Sequence, residues 1–455
     1  MKKLNRRQFL RSSTAAAVMA ATPGLAYSQM FGSAAPFSDY RALVCVFLFG
    51  GNDSFNMLVP TSTAEYNAYA ASRNQLAIAK EDLLPINPVL GAENFDFGIH
   101  PSMGGLKSLL DDGKAAFLAN VGPLVVPTTR DDVFNKSVPL PPQLFSHNDQ
   151  QDQWLSLKGV ATSKTGWAGR IADLIRDNVV AQKMATNASL FGTNTLQSAE
   201  ETIAYVMGPN GPFEFYGFSN DPETLQGQQR LAFEAIATAN HGSVYERAFG
   251  DVQQRAISSA DTVLGALRNP STPTFDGLFP SSQLATQLRT VAQLIAVRDE
   301  LQMQRQIFFV AMGGFDTHDD QQILQPGLLG DVSASLTAFQ AALASLSVEQ
   351  DVTTFTSSDF GRTLTSNGDG SDHAWGGHQL ILGGGVAGNA IYGNYPVPEI
   401  GGLEDVGGGR YVPSTSADQY AATLARWFGV EEADIGAVAP SLANFNVKDL
   451  GFFNV

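Results

Sequence analysis

The sequence predicts an α/β protein with a doubly wound, mostly parallel sheet, helices on both faces, and a helical or irregular insertion. Three observations predict it. Short runs, most of them apolar, recur at residues 43–49, 115–120, 306–312, 353–357 and 379–382, and several stop at Gly, Asn, Asp or Ser. Continuous runs of this length are the mark of strands covered on both faces, as in parallel sheets. Helical periodicity fills the intervals, at residues 101–112, 167–183, 282–304, 328–346 and 417–428. Strand and helix in alternation wind a parallel sheet whose ligands collect at the carboxyl ends of the strands. The stretch from about 187 to 280 breaks this rhythm, being rich in Gly, Pro, Thr and Asn, and reads as an insertion or cap.

The chain opens with Lys2 and Lys3, then Asn5-Arg6-Arg7-Gln8-Phe9-Leu10, a weakly apolar Ala-rich run over residues 12–22, and Gly24-Leu25-Ala26. This predicts a twin-arginine signal peptide over residues 1–28, and with it the twin-arginine export machinery as a partner and a periplasmic or secreted destination. A basic helix at the start of a cytosolic protein is the plainer alternative. An apolar run of about 11 residues is too short for a bilayer, which takes ~20, so no transmembrane anchor is expected in the mature form.

The 455 residues carry a net charge of −16. The first 28 contribute five basic residues and no acid, so the mature chain sits near −21, about five charges lower. Such a surface repels nucleic acid and anionic lipid, and basic patches interleaved with aromatics are absent, so nucleic acid is not an expected partner. The single cysteine, Cys45, lies in an apolar run, forms no intramolecular disulfide and reads as a core residue. At about 425 residues the mature chain exceeds the usual single core of ~250–300, which predicts one large domain over 41–455 carrying the insertion.

Five of the six histidines sit among acids, amides or hydroxyls: His100, His147, His318, His373 and His378. Asp316 and His318 follow an apolar run, and residues two apart in extended chain face the same way, so both can reach one ion. Carboxylate oxygen with neutral imidazole suits zinc or manganese, with calcium as a third option. Asp359 follows residues 353–357, and Asp53 follows residues 43–49 in the same manner. Three strand ends presenting acids, followed by His373 and His378, converge on one edge of a sheet. Each has a structural alternative: Asp53 and Asp359 as turn or cap residues, and the two late histidines as hydrogen-bonding partners of loop backbone. His100, before a proline, reads as structural. Ser146, beside His147 and Asp149, is the candidate nucleophile, with an N-cap role as its alternative. Arg362 could clamp an anionic oxygen. No Gly-x-Ser-x-Gly elbow or P-loop is present, and Gly383 to Gly388 matches a dinucleotide fingerprint without a helix to follow.

Taken together, Phe49-Gly50-Gly51-Asn52-Asp53-Ser54, Ser146-His147, Gly313-Gly314-Phe315-Asp316-Thr317-His318, Asp359-Phe360-Gly361-Arg362-Thr363 and Asp372-His373-Ala374-Trp375-Gly376 resemble the domain of unknown function 1501 family, from about Arg41 onward. Its distant grouping with the alkaline phosphatase-like superfamily implies a doubly wound sheet and up to two divalent metals. By that resemblance Asp53 is the first acid, Ser146 the nucleophile and Asp316 with His318 a metal pair. Asp359 is then the acid of the second site, and His373 or His378 the late histidine. Phe360 stands where the superfamily usually places a metal-binding histidine, and Asp316 and His318 are closer together than in better-known members. No Cys-x-Pro-Ser-Arg or serine equivalent occurs, which disfavours a formylglycine sulfatase. The expected function is an exported metal-dependent hydrolase of phosphate or sulfate esters on a small molecule or glycan. The alternative is a non-catalytic exported binding protein with a structural metal or glycan site.

Overall fold

The computed structural model describes residues 35–454 except 92–94, 161–163, 214–216 and 240–241, so the twin-arginine segment lies outside the described residues. Nine strands form the central sheet: β1 (Arg41–Leu48), β2 (Ala115–Gly122), β3 (Asn187–Ser189), β4 (Tyr205–Val206), β5 (Arg305–Met312), β6 (Val352–Ser358), β7 (Gly377–Leu382), β8 (Ala390–Gly393) and β9 (Thr415–Ser416). Their order is β8-β2-β7-β6-β1-β5-β3-β4, with β9 also on β2. β1 lies parallel between β5 and β6, with Leu48 level with Met312 and Ser358, so the three strands end together. The expected α/β, mostly parallel sheet is therefore the observed one.

The run in β1 reads as it does because each face of the sheet is covered. Ala42, Val44, Val46 and Leu48 enter one core, and Leu43, Cys45 and Phe47 enter the other. On the first face lie α2 (Gly104–Asp111), α7 (Gln283–Ala296) and α8 (Gln321–Ser345), through residues such as Leu106, Leu288 and Leu336. On the second lie α3 (His147–Ser156), α4 (Trp167–Ile175) and α9 (Ala417–Phe428), through Trp154, Ile171 and Leu424. Two layers of helix over one sheet remove both faces from water, the main driving force for this architecture. Cys45 is buried as expected, and burial pushes its thiol well above the ordinary range.

Two features depart from the expectation. β7 runs antiparallel between β2 and β6. Parallel neighbours need a crossover, usually a helix. Here the chain leaves β6, forms the hairpin Arg362–Ser366 with Ser371–His373, and re-enters from the same end of the sheet. That return stacks residues 359–373 at the carboxyl edge. In the 187–280 stretch, β3 and β4 belong to the main sheet beside β5, and only α5 (Leu225–Ala237) and α6 (Val244–Leu267) stand outside it as a helical pair. Among the described residues no helix is long and apolar enough to cross a membrane.

Candidate metal centre

The carboxyl ends of β1, β5 and β6 meet at a crowded turn. Gly50 has φ +115°, and a Cβ there would lie 2.3 Å from the Asp316 amide nitrogen; Gly51 has φ +84°, and its Cβ would strike the Phe360 ring at 2.3 Å. Only glycine meets both the left-handed backbone and the contact. The segment after β5 thereby lies directly against the one after β1, and Asp316 is set half-exposed in the centre.

Three imidazoles surround it. The Nε2 of His318 is 3.1 Å and that of His373 3.3 Å from Asp316 Oδ1, while the Nε2 of His147 is 3.4 Å from Oδ2. The His318 and His373 Nε2 atoms are 2.8 Å apart. One ligand atom each from His147, Asp316 and His373 lies within 4.8 Å of the others. Each ring is oriented from behind through Nδ1: His147 by Asp359 Oδ2 at 2.7 Å, His318 by Asp372 Oδ1 at 3.2 Å, and His373 by the Phe145 carbonyl at 2.7 Å. A carbonyl only accepts, so His373 Nδ1 carries the proton and the neutral ring turns a lone pair inward. Histidines held through one nitrogen by a carboxylate or carbonyl, with the other nitrogen converging on a shared carboxylate, form the arrangement of metal ligands and their supports. Tetrahedral ligands at ~2.0–2.1 Å from zinc are about 3.3 Å from each other, close to the separations here.

Electrostatics favour the same protonation states. Burial works to raise the Asp316 carboxyl, but the Arg362 hydrogen bond and charge, with His318 and His147, hold it below its ordinary value. Burial lowers His373, reinforced by His147 and Arg362 and opposed by the bond to Phe145. Asp372 is likewise held down against burial by Asn367 and His318. The Phe360 ring lies 4.9 Å from the His147 ring and 4.5 Å from that of His373, closing one side.

Of the residues expected from sequence, Asp316, His318, Asp359 and His373 are brought together, with Asp359 acting on His147 from behind. Two others are engaged elsewhere. Asp53 is buried and paired with Arg73, at the end of α1 (Thr63–Arg73), and Gln321 also donates to its Oδ2. His378 accepts a hydrogen bond at Nδ1 from the Asn120 amide at 3.0 Å and stacks on Tyr395, so it holds the backbone of β2. Arg362 is fully buried: Nη1 donates to Asp316 Oδ1 at 2.8 Å and Gly50 O at 2.9 Å, Nε donates to Ser371 O at 3.0 Å, and Nη2 also bonds Ser371 O. It steadies the centre and presents no group to a ligand. Ser146 occupies the N-cap of α3 but does not bond the helix backbone with its hydroxyl, which donates to Asp149 Oδ2 at 2.6 Å. His100 accepts from the Ser102 amide at 3.1 Å, the expected structural role. His147 and Asp372 were not singled out as site residues. The signals for them were their place beside Ser146 and His373 and, for His147, its polar surroundings.

The chain belongs to the family of proteins of unknown function, DUF1501. That family's description matches residues 40–405. No curated protein matches this DUF1501 chain significantly. Three of the solved structures similar to it are as follows. One is Ps i-CgsB in complex with k-i-k-neocarrahexaose, at 11% identity over 87% of this chain and 74% of that one, with TM-score 0.33. Another is the lipoteichoic acid synthase LtaP from Listeria monocytogenes, at 9% over 87% and 73%, with TM-score 0.34. The third is the PsFucS1 sulfatase from Pseudoalteromonas sp., at 10% over 100% and 78%, with TM-score 0.33.

The buried His378 gives a pH signature separable from the centre. Burial lowers it from 6.5 to about 3, and it lowers His100 to about 4. With folded values below unfolded ones, the unfolded chain binds more protons, so this stability is present above about pH 6.5 and is lost progressively as the pH falls toward the folded values. Unfolding midpoints in urea are expected to drop between pH 6.5 and 4, less steeply in His378→Gln. Identical slopes in both proteins would remove His378 as a cause.

Proposed function

We propose that this chain is a divalent-metal-dependent hydrolase of phosphate or sulfate esters, exported by the twin-arginine route to the periplasm or beyond. The observation that supports it is the convergence of three inward-facing imidazole nitrogens on Asp316. His147, Asp316 and His373 would hold the ion, with His318 beside them. Imidazole-rich donors suit zinc or manganese, whereas calcium prefers an all-oxygen shell. The bound ion supplies Lewis-acid stabilisation of charge on the ester oxygens.

The chain's own residues supply the rest. Asp359 and Asp372 fix two rings, and Arg362 fixes Asp316 from its buried side. Ser146 is the nucleophile of this reading: its hydroxyl already donates to Asp149, which takes the proton as the oxygen attacks phosphorus or sulfur. The ester oxygen leaves with a proton from solvent, and water then releases the anion from Ser146.

A second reading, a non-catalytic exported binding protein with a structural ion or glycan site, is favoured by two observations. Arg362 already neutralises Asp316, and Phe360 covers two of the imidazoles. The test is turnover of aryl phosphate and aryl sulfate monoesters by protein loaded with zinc or manganese. The hydrolase reading expects hydrolysis that falls at least ~10²-fold in Ser146→Ala, the loss of a nucleophile being among the largest catalytic effects. Metal-loaded wild type with no turnover of any ester would leave the binding protein.

A further inference from the structure

We infer that Arg410 is the residue that grips the anionic end of the ligand, and that the ligand carries an apolar aryl or alkyl body; this rests on the ester-hydrolase reading. Beside the metal centre opens a cleft of ≈ 500 Å³ whose polar lining is His318, Asp372, His373 and Arg410. Its apolar lining is Val133, Leu144, Phe145 and Val406, which pack on a small apolar cluster around Trp375.

Arg362 cannot serve an anion there, since it is buried and its nitrogens are bound to Asp316, Gly50 and Ser371. Arg410 is differently placed. It is half-buried, its Nε donates to the His373 carbonyl at 3.0 Å, its Nη1 donates to Gly407 O at 2.9 Å, and its guanidinium carbon sits 5.5 Å from the centre of the Phe145 ring. Two hydrogen bonds and an aromatic face fix the plane of the guanidinium beforehand, which lowers the cost of binding. Its Nη2 has no hydrogen-bond partner among the described residues. Both the donor and the metal centre are thus tied to the same His373, one through its carbonyl and the other through its ring.

Charge gives this cation its weight. The chain carries −16 and repels anions at long range, so an anionic group is retained only where a fixed positive group faces it. The cleft has one permanent cation and one carboxylate, Asp372, which is hydrogen-bonded to His318 and Asn367 and close enough to Arg410 to feel its charge. A single guanidinium matches one anionic group and not a polyanion. The four apolar lining residues offer carbon, which binds an aryl or alkyl group by removing it from water and leaves sugar hydroxyls unpaired.

The test is calorimetry on the full chain loaded with zinc, using phenylphosphonate and methylphosphonate as non-hydrolysable probes. Wild type is expected to bind phenylphosphonate about tenfold or more tighter than methylphosphonate, from burial of the ring. Arg410→Gln is expected to weaken phenylphosphonate about 10–100-fold, the range for a hydrogen bond to a charged group, with Arg410→Lys recovering part of it. Zinc content equal to wild type in both variants separates a lost anion contact from a displaced His373. Unchanged phenylphosphonate affinity in Arg410→Gln overturns this assignment while leaving the hydrolase reading intact. Equal affinity for the two phosphonates overturns the apolar body. A zinc-loaded wild type that binds neither probe overturns the hydrolase reading itself.

Discussion

Asp316→Ala is expected to lose its divalent ion, falling from about one zinc or manganese per chain in wild type to background in protein purified without chelator. The three Nε2 atoms all face this carboxylate, and among the described residues no other acid joins them in a group that could hold an ion. Without it the site keeps its imidazoles and gains an unopposed guanidinium, since Arg362 then points a buried positive charge at the position of the ion. Asp359→Asn should do less, weakening the ion about 10–100-fold, because it acts by orienting His147. Elemental analysis of the three proteins checks both. Wild type free of metal after expression in zinc- and manganese-supplemented medium would reduce the cluster to an ion-pair network around Arg362.

Arg73→Met is expected to destabilise the fold by about 3–5 kcal/mol, the cost of removing one partner of a buried ion pair. Both side chains of the Arg73–Asp53 pair are 0% exposed. Arg73 also donates to Asn56 Oδ1 at 3.2 Å and to the Thr363 carbonyl at 3.0 Å, so it ties α1 to the segment after β1 and to the hairpin. Urea unfolding followed by tryptophan fluorescence measures the loss. Asp53→Asn combined with Arg73→Met should recover part of it, because no buried charge is then left alone. A single-variant loss below ~1 kcal/mol would mean that water or a neighbour compensates Asp53, and the pair would not be the anchor described.

What the sequence revealed follows from how local each signal is. The cores of β1, β2, β5 and β7 were legible because a strand covered on both faces is apolar nearly throughout, and β6, which buries Thr353, Thr354 and Thr356, was legible from its β-branched residues. α9 was legible over its whole length from periodicity alone. The direction of β7 was not, since it depends on a hairpin whose pairing of Arg362 with His373 has no apolar signature. The same limit governs the centre. Asp316 and His318 were found because they follow a strand. Asp53 follows one too, but its partner is the last residue of a helix 20 positions on, a contact that no short motif contains. His373 and His378 look alike in sequence, yet one ends a hairpin at the site and the other enters β7, where its ring turns into the core between Phe55 and Tyr395. Ser146 drew attention that belonged equally to His147. One residue apart at the start of a helix, the two side chains go to different partners.

The order in which the chain is made bears on how the three supports behind the imidazoles come together. His147 and its neighbour Phe145 emerge from the ribosome long before Asp316, and Asp359, Asp372 and His373 follow later still. On the proposed reading an ion waits until the hairpin after β6 has turned back and set His373 beside His147 and Asp316, so the centre would close among the last steps of synthesis. Metal capture would then report that folding is complete, and a cell that withholds the metal would accumulate chains whose sheet is built but whose rim stays open.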